Sequence, residues 1–473
     1  MSQVITPALI GGESIVGSDT MEVRSPFDGR LIGTVPRLEI THIDDAVAVA
    51  KSLHRQGPLP AHERAAILDR AAVLLNERLD EFANSISCEA AKPITTARIE
   101  ATRALDTLRF SAAAARTFSG ETIPMDASSA GAGKIGWVKR VPIGVVAAIS
   151  PFNFPLNLVC HKIAPAVAAG APVVLKPASA TPLTALRIAR LFEEAGLPPG
   201  WLNVVTVPGR TADHLVTHDD VAMITFTGSP DVGWGIRSRA ARKRVNLELG
   251  NNAPIIIEPD ANLANAATKI VAGGFGYSGQ TCISVQRVYA HRDIHDELLD
   301  AVVAATDKLG VGDPADPDTV VSALINPGET DRVHSWIGEA VDAGASLATG
   351  GTLNDGVLAP TVLTGVTADM AVSHDEVFGP VIGFADYTDY EDALRRANDT
   401  RYGLQAAVYT ADLAKAMRAA EVLDFGGVLI NEMPSFRTDQ QPYGGVRDSG
   451  NTREGPAFAI EEMTERRLII IQP

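Results

Sequence analysis

Cysteine chemistry has few candidates in this chain, because its cysteines are Cys88, Cys160 and Cys282. Cys282 ends the loop Gly279-Gln280-Thr281-Cys282, between a predicted helix and a predicted strand. Small residues on each side leave room for a substrate to reach the sulfur, which a nucleophilic thiol requires. Free cysteine is also among the most often buried residue types, so the loop alone leaves a packing role open.

Two polar residues could assist a nucleophilic thiol. Asn153 follows the apolar run 144–150, and its side-chain amide could donate to a developing oxyanion or could cap the next turn. Glu248 lies between two leucines beside a glycine turn, where partial desolvation raises a carboxyl pKa and suits a general base. The alternative for Glu248 is a strand-end glutamate that faces water.

Two further segments are suited to phosphate or ribose groups. Lys176 ends the apolar run 172–176 and could bind ribose hydroxyls or phosphate, or could face solvent. In Phe226-Thr227-Gly228-Ser229 a strand gives way to a helix, whose first N–H groups suit a pyrophosphate. The segment is not G-x-G-x-x-G, so it is a weak generic phosphate signal, and Ser229 could be only an N-cap.

Composition narrows the class of protein. The 473 residues suffice for two or three domains, and 46% hydrophobic with 21% charged residues is typical of globular proteins. A net charge of −16 argues against nucleic-acid or anionic-membrane partners, and no apolar run reaches the length of a membrane span. The first residues resemble no secretory signal and three cysteines cannot build a disulfide framework, so we expect a cytoplasmic protein.

Periodicity predicts the elements that would position these residues. Apolar spacing predicts helices around 43–56, 60–90 and 95–118. Strand and helix then alternate, with strands at 144–150, 172–176, 201–205 and 221–227 and a helix at 183–195. A second series begins near residue 254, with helices at 261–278, 293–309 and 329–344 and a strand at 284–290. This rhythm predicts parallel sheets with ligands at strand carboxyl ends.

Seven segments in this order resemble the aldehyde dehydrogenase family over nearly the whole chain. They are Pro151-Phe152-Asn153, Lys176-Pro177-Ala178, Phe226-Thr227-Gly228-Ser229, Leu247-Glu248-Leu249-Gly250, Gly279-Gln280-Thr281-Cys282, Glu376-Val377-Phe378-Gly379-Pro380 and Pro442-Tyr443-Gly444-Gly445. The resemblance implies an α/β fold of two Rossmann-like domains with a small β oligomerisation arm. It implies an NAD(P)-binding domain at 1–120 and 140–250, a catalytic thiol domain at 251–445, and an arm at 121–139 and 459–473.

The resemblance also implies residue roles. Cys282 would attack the aldehyde, Asn153 and the Cys282 N–H would hold the oxyanion, and Glu248 would activate the water that hydrolyses the thioester; no metal is expected. NAD or NADP would contact Ile149, Ser150, Pro151, Phe152, Lys176, Ala178, Ser179, Gly209, Arg210, Phe226, Gly228, Ser229, Val232, Leu249, Gly250, Glu376 and Phe378. Among these, Lys176 and Glu376 would hold the riboses and Ser229 the pyrophosphate.

The choice between NAD and NADP stays open at this point. NAD-preferring members usually carry a glutamate where this chain has Ser179, and serine would not repel a 2′-phosphate. Arg210 could assist NADP binding. Removing a barrier does not by itself establish a preference.

The segments 157–162 and 436–450 resemble a subgroup that includes lactaldehyde, non-phosphorylating glyceraldehyde-3-phosphate and phosphonoacetaldehyde dehydrogenases. Such enzymes take small polar or anionic aldehydes, and the candidate anion ligands here are Arg103, His161 and Arg437. Arg103 could instead be a helix-surface arginine near Glu100, and His161 could be a core histidine.

Several other readings remain at this stage. The enzyme could be of the succinate-semialdehyde type or of broad specificity, or could pass its acyl group to CoA, although Glu248 favours water. A non-enzymatic structural protein on the same scaffold would be expected to lack Cys282 or Asn153, and a kinase-like P-loop pattern does not occur. The apolar tail 467–471 would be prone to aggregate alone, so we expect it to pair with another sheet, such as one in a neighbouring subunit. The family resemblance implies a homodimer or homotetramer.

Overall fold

The computed structural model of the protein describes residues 5–240 and 242–473. Residues 1–4, on which the expectation about a secretory signal partly rests, lie outside that range. In the part of the chain that is described, no helix combines the length and the apolar character needed to cross a membrane.

The helices and strands alternate along most of the chain. The helices are α1 (Ile40–Gln56), α2 (Ala61–Glu77), α3 (Leu79–Ala90), α4 (Ile94–Thr117), α5 (Asn157–Ala169), α6 (Pro182–Glu194), α7 (Asp213–Thr217), α8 (Pro230–Arg239), α9 (Leu263–Phe275), α10 (His295–Thr306), α11 (Pro327–Asp342), α12 (Ala371–His374), α13 (Tyr390–Asn398), α14 (Leu413–Val422) and α15 (Pro456–Glu462). The strands are β1 (Ala8–Ile10), β2 (Glu13–Ile15), β3 (Thr20–Arg24), β4 (Leu31–Pro36), β5 (Glu121–Ile123), β6 (Ile135–Pro142), β7 (Val145–Ile149), β8 (Val173–Lys176), β9 (Leu202–Val204), β10 (Val221–Thr227), β11 (Arg244–Glu248), β12 (Ala253–Ile257), β13 (Val285–His291), β14 (Gly310–Val311), β15 (Thr319–Val321), β16 (Ser346–Thr349), β17 (Leu353–Asn354), β18 (Val357–Leu358), β19 (Thr361–Thr364), β20 (Val381–Tyr387), β21 (Gln405–Tyr409), β22 (Gly427–Ile430) and β23 (Thr464–Ile471).

The first large sheet has the strand order β11-β10-β7-β8-β9-β1-β2. Its five strands from β11 to β9 are parallel, and β1 and β2 close one edge in antiparallel pairing. Every residue of β7 is buried because alternate side chains pack on helices at both faces, Val146 toward α4 and α5 and Val145 toward α1. The register sets Ile149, Lys176 and Glu248 at the carboxyl edge of this sheet.

The second large sheet has the order β16-β19-β20-β13-β12-β21-β22 and is parallel except at β16. Its strands β12 and β13 are parallel neighbours, and α9 connects them in the chain and leads into the Cys282 loop. The prediction of two parallel α/β sheets is therefore confirmed.

A third, antiparallel sheet joins segments far apart in the sequence. β23 pairs with β6 along its whole length, from Thr464 opposite Pro142 to Ile471 opposite Ile135, and β5 lies on the other side of β6. Leu468, Ile470 and Ile471 are exposed on this sheet.

Two predicted helices end differently from the expectation. The helix predicted over 60–90 is wrong as one element, because the backbone of Arg78 (φ −121°, ψ 22°) separates α2 from α3. The Arg78 side chain donates two hydrogen bonds to Glu194, a contact that no local pattern reveals. The helix predicted over 261–278 stops at Phe275, where the chain turns toward Cys282.

Candidate active site

The Cys282 loop begins with a chain reversal that is held by hydrogen bonds. Tyr277, Ser278 and Gly279 have φ values of 53°, 55° and 71°, in the left-handed region that costs non-glycine residues energy. The Ser278 hydroxyl donates to the Ser322 carbonyl and accepts from the Ser322 N–H, both at 2.9 Å. A side chain at Gly279 would collide with the carbonyl of Gly379, so the position requires glycine. The loop is thereby fixed where α9 ends.

The Cys282 sulfur lies 2.9 Å from the Tyr443 hydroxyl. Ile283 and Leu404 form an apolar wall beside the two residues. Burial raises the pKa of the Cys282 thiol to about 12, and the hydrogen bond from Tyr443 acts in the opposite direction. The thiol is therefore protonated in this state, and its attack on a substrate requires the proton to leave.

Asn153 follows β7 and reaches toward the same loop. Its side-chain Nδ2 donates to the Gln280 carbonyl at 2.9 Å. An amide nitrogen carries two hydrogens, so one remains free to donate. Asn153 Oδ1 is buried and has no hydrogen-bond partner among the described residues.

Glu248 is the last residue of β11 and is 4% exposed. Neither carboxylate oxygen has a hydrogen-bond partner among the described residues. Burial, and next the charge of Glu454, raise the pKa of Glu248 well above its usual value. Gly444 provides the space for this side chain, because a Cβ there would lie 2.7 Å from Glu248 Oε1. Such a carboxyl group can accept a proton near neutral pH.

A buried ion pair behind Glu248 was missed by the sequence reasoning. Lys162 Nζ lies 3.3 Å from Glu454 Oε1 and donates to the Thr227 hydroxyl at 2.7 Å. Lys162 lies in α5, every residue of which is buried. A lysine within so apolar a helix indicates a buried charge that needs a partner, and this pattern was visible in the sequence. Glu454 lies outside any helix or strand and carries no such signal.

The three predicted anion ligands are brought together, but carboxylates already face them. Arg103 donates two hydrogen bonds to Asp439, at 2.9 and 3.1 Å. It is therefore not a helix-surface arginine near Glu100, which was the alternative interpretation of the sequence. His161 Nε2 lies 2.9 Å from Asp439, and Arg437 donates to Glu454 at 3.1 Å. Burial lowers the pKa of His161, which keeps the imidazole neutral.

His161 Nε2 also lies 3.3 Å from Arg437, and it thereby joins these contacts into one network, whose charged members we name the charged cluster. Its members are Arg103, Lys162, Arg437, Asp439 and Glu454. Three cations against two carboxylates leave one net positive charge. Arg437 also stacks on the ring of Tyr443, with the guanidinium carbon 3.7 Å from the ring centroid.

A cleft of about 560 Å³ opens beside the thiol. Its walls include Asn153 and Cys282, and Leu249 and Gly250, which follow Glu248 directly. Of the residues predicted to bind the cofactor, it is lined by Ile149, Ser150, Pro151, Phe152, Lys176, Ala178, Ser179, Phe226, Gly228, Ser229, Leu249, Gly250, Glu376 and Phe378. The remaining three, Gly209, Arg210 and Val232, line an adjoining cavity that shares Ile149, Lys176 and Phe226 with the first.

The polar groups of this cleft fit a ligand rich in hydroxyl and phosphate groups. Lys176 is 7% exposed, and its ammonium group forms no hydrogen bond or ion pair with the described residues. Burial lowers the pKa of Lys176 to about 8 and raises that of Glu376 to about 8. Ser229 occupies the N-cap position of α8, yet its side chain makes no cap hydrogen bond. The side chains of Lys176 and Ser229 are thus available to a dinucleotide, and Glu376 already accepts one hydrogen bond, from the Asn251 N–H at 2.9 Å.

Comparisons with known proteins give concordant matches. The chain matches the aldehyde dehydrogenase family over residues 15–469. It is 43% identical to 3-sulfolactaldehyde dehydrogenase of Priestia aryabhattai, over 98% of this chain and 97% of that protein. It is 38% identical to lactaldehyde dehydrogenase of Methanococcus aeolicus, over 98% and 99% of the two chains. The crystal structure of the NADP-dependent glyceraldehyde-3-phosphate dehydrogenase from Bacillus halodurans C-125 complexed with NADP superposes with a TM-score of 0.96, at 35% identity and 99% coverage of both chains.

Proposed function

Since the chain belongs to the aldehyde dehydrogenase family, we propose that Cys282, Asn153 and Glu248 carry out its oxidation of an aldehyde to a carboxylate. As a member of that family it is an NAD(P)-dependent oxidoreductase. The observation that carries the residue assignment is the shared cleft, where the walls that include Cys282 and Asn153 continue to Lys176 and Glu376.

The first half of the proposed reaction forms an adduct on the thiol. The Cys282 thiolate attacks the aldehyde carbon and gives a thiohemiacetal. The oxygen that gains charge accepts hydrogen bonds from the free N–H of the Asn153 amide and from the backbone N–H of Cys282. Asn153 is suited to this role because its other N–H is anchored on Gln280.

The second half releases the product. Bound NAD(P) supplies the two-electron oxidation that turns the adduct into a thioester. Glu248 accepts a proton from the water that attacks the thioester, and Cys282 leaves as thiolate with the carboxylate product. Formation of the carboxylate in the absence of CoA tests this assignment, whereas a strict requirement for CoA would favour the acyl-transfer alternative.

We assign the cofactor contacts from the lining of the cleft. Lys176 and Glu376 hold the riboses, Ser229 and the N-terminus of α8 hold the pyrophosphate, and Phe226 and Phe378 form apolar walls. Either NAD or NADP fits this assignment. Arg210 lines the adjoining cavity and is placed to meet a 2′-phosphate there.

We infer that the substrate is a short aldehyde with hydroxyl groups or a single negative charge. The charged cluster carries one net positive charge and lies one side chain away from the thiol, through Tyr443. Relatives named for 3-sulfolactaldehyde and lactaldehyde support the same class, since both compounds are short hydroxyaldehydes. A phosphorylated glyceraldehyde, phosphonoacetaldehyde and succinate semialdehyde belong to the same test.

The substrate inference is tested by kcat/KM for 3-sulfolactaldehyde, phosphonoacetaldehyde, a phosphorylated glyceraldehyde, lactaldehyde, succinate semialdehyde and propanal. The charged or hydroxylated compounds should exceed propanal, and equal values would contradict the inference. Replacing Arg437 by glutamine should lower the ratio of anionic substrate to propanal by about tenfold, the effect of about 1.4 kcal/mol. An equal loss on all substrates would remove Arg437 from substrate selection.

We propose that the sheet of β5, β6 and β23 is an oligomerisation arm of a homodimer or homotetramer. Its exposed Leu468, Ile470 and Ile471 would be covered by a second subunit. Truncation after Glu465 should lower the mass measured by light scattering, whereas truncation after Ile471 should not. An unchanged mass in the shorter variant would refute the role. The free cysteines fit a reducing, cytoplasmic location.

A further inference from the structure

Tyr443 links the thiol to the charged cluster. Its hydroxyl lies 2.9 Å from Cys282 Sγ, its ring lies against Arg437, and the residue is 3% exposed. Its backbone is paired with that of Glu454 in an isolated β-bridge, which anchors the chain that carries the ring. None of the roles assigned so far uses this hydroxyl.

The direction of the Tyr443–Cys282 hydrogen bond depends on the state of the sulfur. While the sulfur is protonated, either atom can donate. Once the sulfur is a thiolate it can only accept, so the hydroxyl must donate, and a hydrogen bond to a charged acceptor is stronger than a neutral one. Burial keeps the pKa of Tyr443 well above its usual value, so the hydroxyl retains its proton.

The other charged groups near the thiol act in opposite directions. Glu376 and Glu248 disfavour a negative sulfur, and Arg437 favours it. Arg437 donates to Glu454 at 3.1 Å while its guanidinium carbon lies 3.7 Å from the centroid of the Tyr443 ring. The nearby cation also makes the phenol a better hydrogen-bond donor. A thiolate at Cys282 would thus have the Tyr443 hydroxyl as a hydrogen-bond donor and the Arg437 guanidinium as a favourable nearby charge.

We propose that Tyr443 is a catalytic hydrogen-bond donor to the Cys282 thiolate and that Arg437 is a positioning residue that holds the donor ring. The thiol proton leaves to water in the cleft, while Tyr443 keeps its own proton and donates it in the hydrogen bond. The inference rests on the proposed role of Cys282 as the nucleophile.

The test is a Tyr443→Phe variant of the full-length protein. Phenylalanine keeps the ring, its contact with Arg437 and the apolar wall at Ile283 and Leu404, and it removes only the hydroxyl. The rate of Cys282 alkylation by iodoacetamide is measured against pH, and mass spectrometry identifies the labelled peptide. Because the pKa of the thiol is already raised, the rates are compared at the same pH values below the midpoint, where the expected rise of about one pH unit in the midpoint means roughly tenfold slower alkylation.

Matched variants separate this proposal from general effects. Tyr409→Phe removes a buried hydroxyl without a partner among the described residues and should keep the wild-type midpoint. Arg437→Gln should raise the midpoint in the same direction as Tyr443→Phe. A midpoint in Tyr443→Phe that is unchanged or lowered would overturn the donor role, and an unchanged midpoint in Arg437→Gln would overturn the positioning role.

The nucleophile assignment fails in a different way. Cys282→Ser should abolish aldehyde oxidation and the labelled peptide together. If that variant kept its activity, the proposed function would fall regardless of the result at Tyr443. If it lost activity while Tyr443→Phe alkylated like the wild type, only the present inference would fall.

Discussion

A Glu248→Gln variant should oxidise one aldehyde per active site and then stall. Both carboxylate oxygens of Glu248 are buried without hydrogen-bond partners among the described residues, so glutamine can occupy the same space. The amide cannot accept the proton of the attacking water. Cys282 and Asn153 are untouched, so the thioester should form and persist.

The expected loss in turnover is large and the expected loss in stability is small. A general base contributes about 10²- to 10⁴-fold, which is about 2.7 to 5.5 kcal/mol at about 1.36 kcal/mol per factor of ten. Two unpartnered amide hydrogens would cost about 1–3 kcal/mol of unfolding free energy. The variant removes a carboxylate whose ionisation burial already disfavours, which offsets part of that cost.

Rapid mixing of enzyme, cofactor and aldehyde tests this prediction. The reduced cofactor should appear in a burst equal to the concentration of active sites, followed by a steady rate about 10²- to 10⁴-fold below that of the wild type. In the wild type, a rate limited by hydrolysis should rise as pH passes the raised pKa of Glu248, because only the carboxylate accepts a proton. The variant should lack that rise. A wild-type steady rate, or slow turnover without a burst, would refute the assignment, and Cys282→Ser is the control that gives neither phase.

Three other replacements follow from the contacts of the site. Asn153→Ala should lower kcat by about 10²- to 10³-fold without weakening cofactor binding, because the amide hydrogen not held by Gln280 is lost; loss of cofactor affinity in a titration would contradict it. Lys176→Met should weaken NAD(P) binding by about ten- to a hundredfold, as expected for one charged hydrogen bond, and unchanged affinity in a fluorescence titration would argue against a ribose contact. Glu454→Gln should lower the unfolding free energy by about 3–5 kcal/mol, because Lys162 stays buried without its counter-ion; denaturant unfolding measures this, and a loss below about 1 kcal/mol would show that the pair is dispensable.

Local pattern was sufficient to predict the strands that are buried on both faces. The strand predicted over 144–150 contains β7 (Val145–Ile149), because a strand covered by helices on both faces is a continuous apolar run. Lys176 was placed at a strand end by the same logic, whereas the strand that ends at Glu248 was not predicted. Parallel pairing brings both residues to one edge of the sheet.

Contacts between residues far apart in the sequence determine the features that the local sequence pattern did not predict. The apolar spacing continues through Arg78, although α2 ends there. The partner of the Arg78 side chain, Glu194, lies 116 residues away, so no local pattern could reveal this contact. Arg103 resembled an isolated helix residue, and its partner Asp439 is 336 residues along the chain. The sequence indicates which residues carry charge, but pairing of those charges is decided by the assembled fold.

The pairing of β23 with β6 bears on how the chain is made. β6 lies between β5 and β23, and the contact of Arg140 with Thr464 spans 324 residues. At about 5–20 residues per second, the ribosome needs roughly 16 to 65 s to deliver the missing strand. During that interval one edge of β6 is open to other chains. Tyr443 likewise follows Cys282 by 161 residues, so the thiol lacks this hydrogen-bond partner until that stretch of chain has been made.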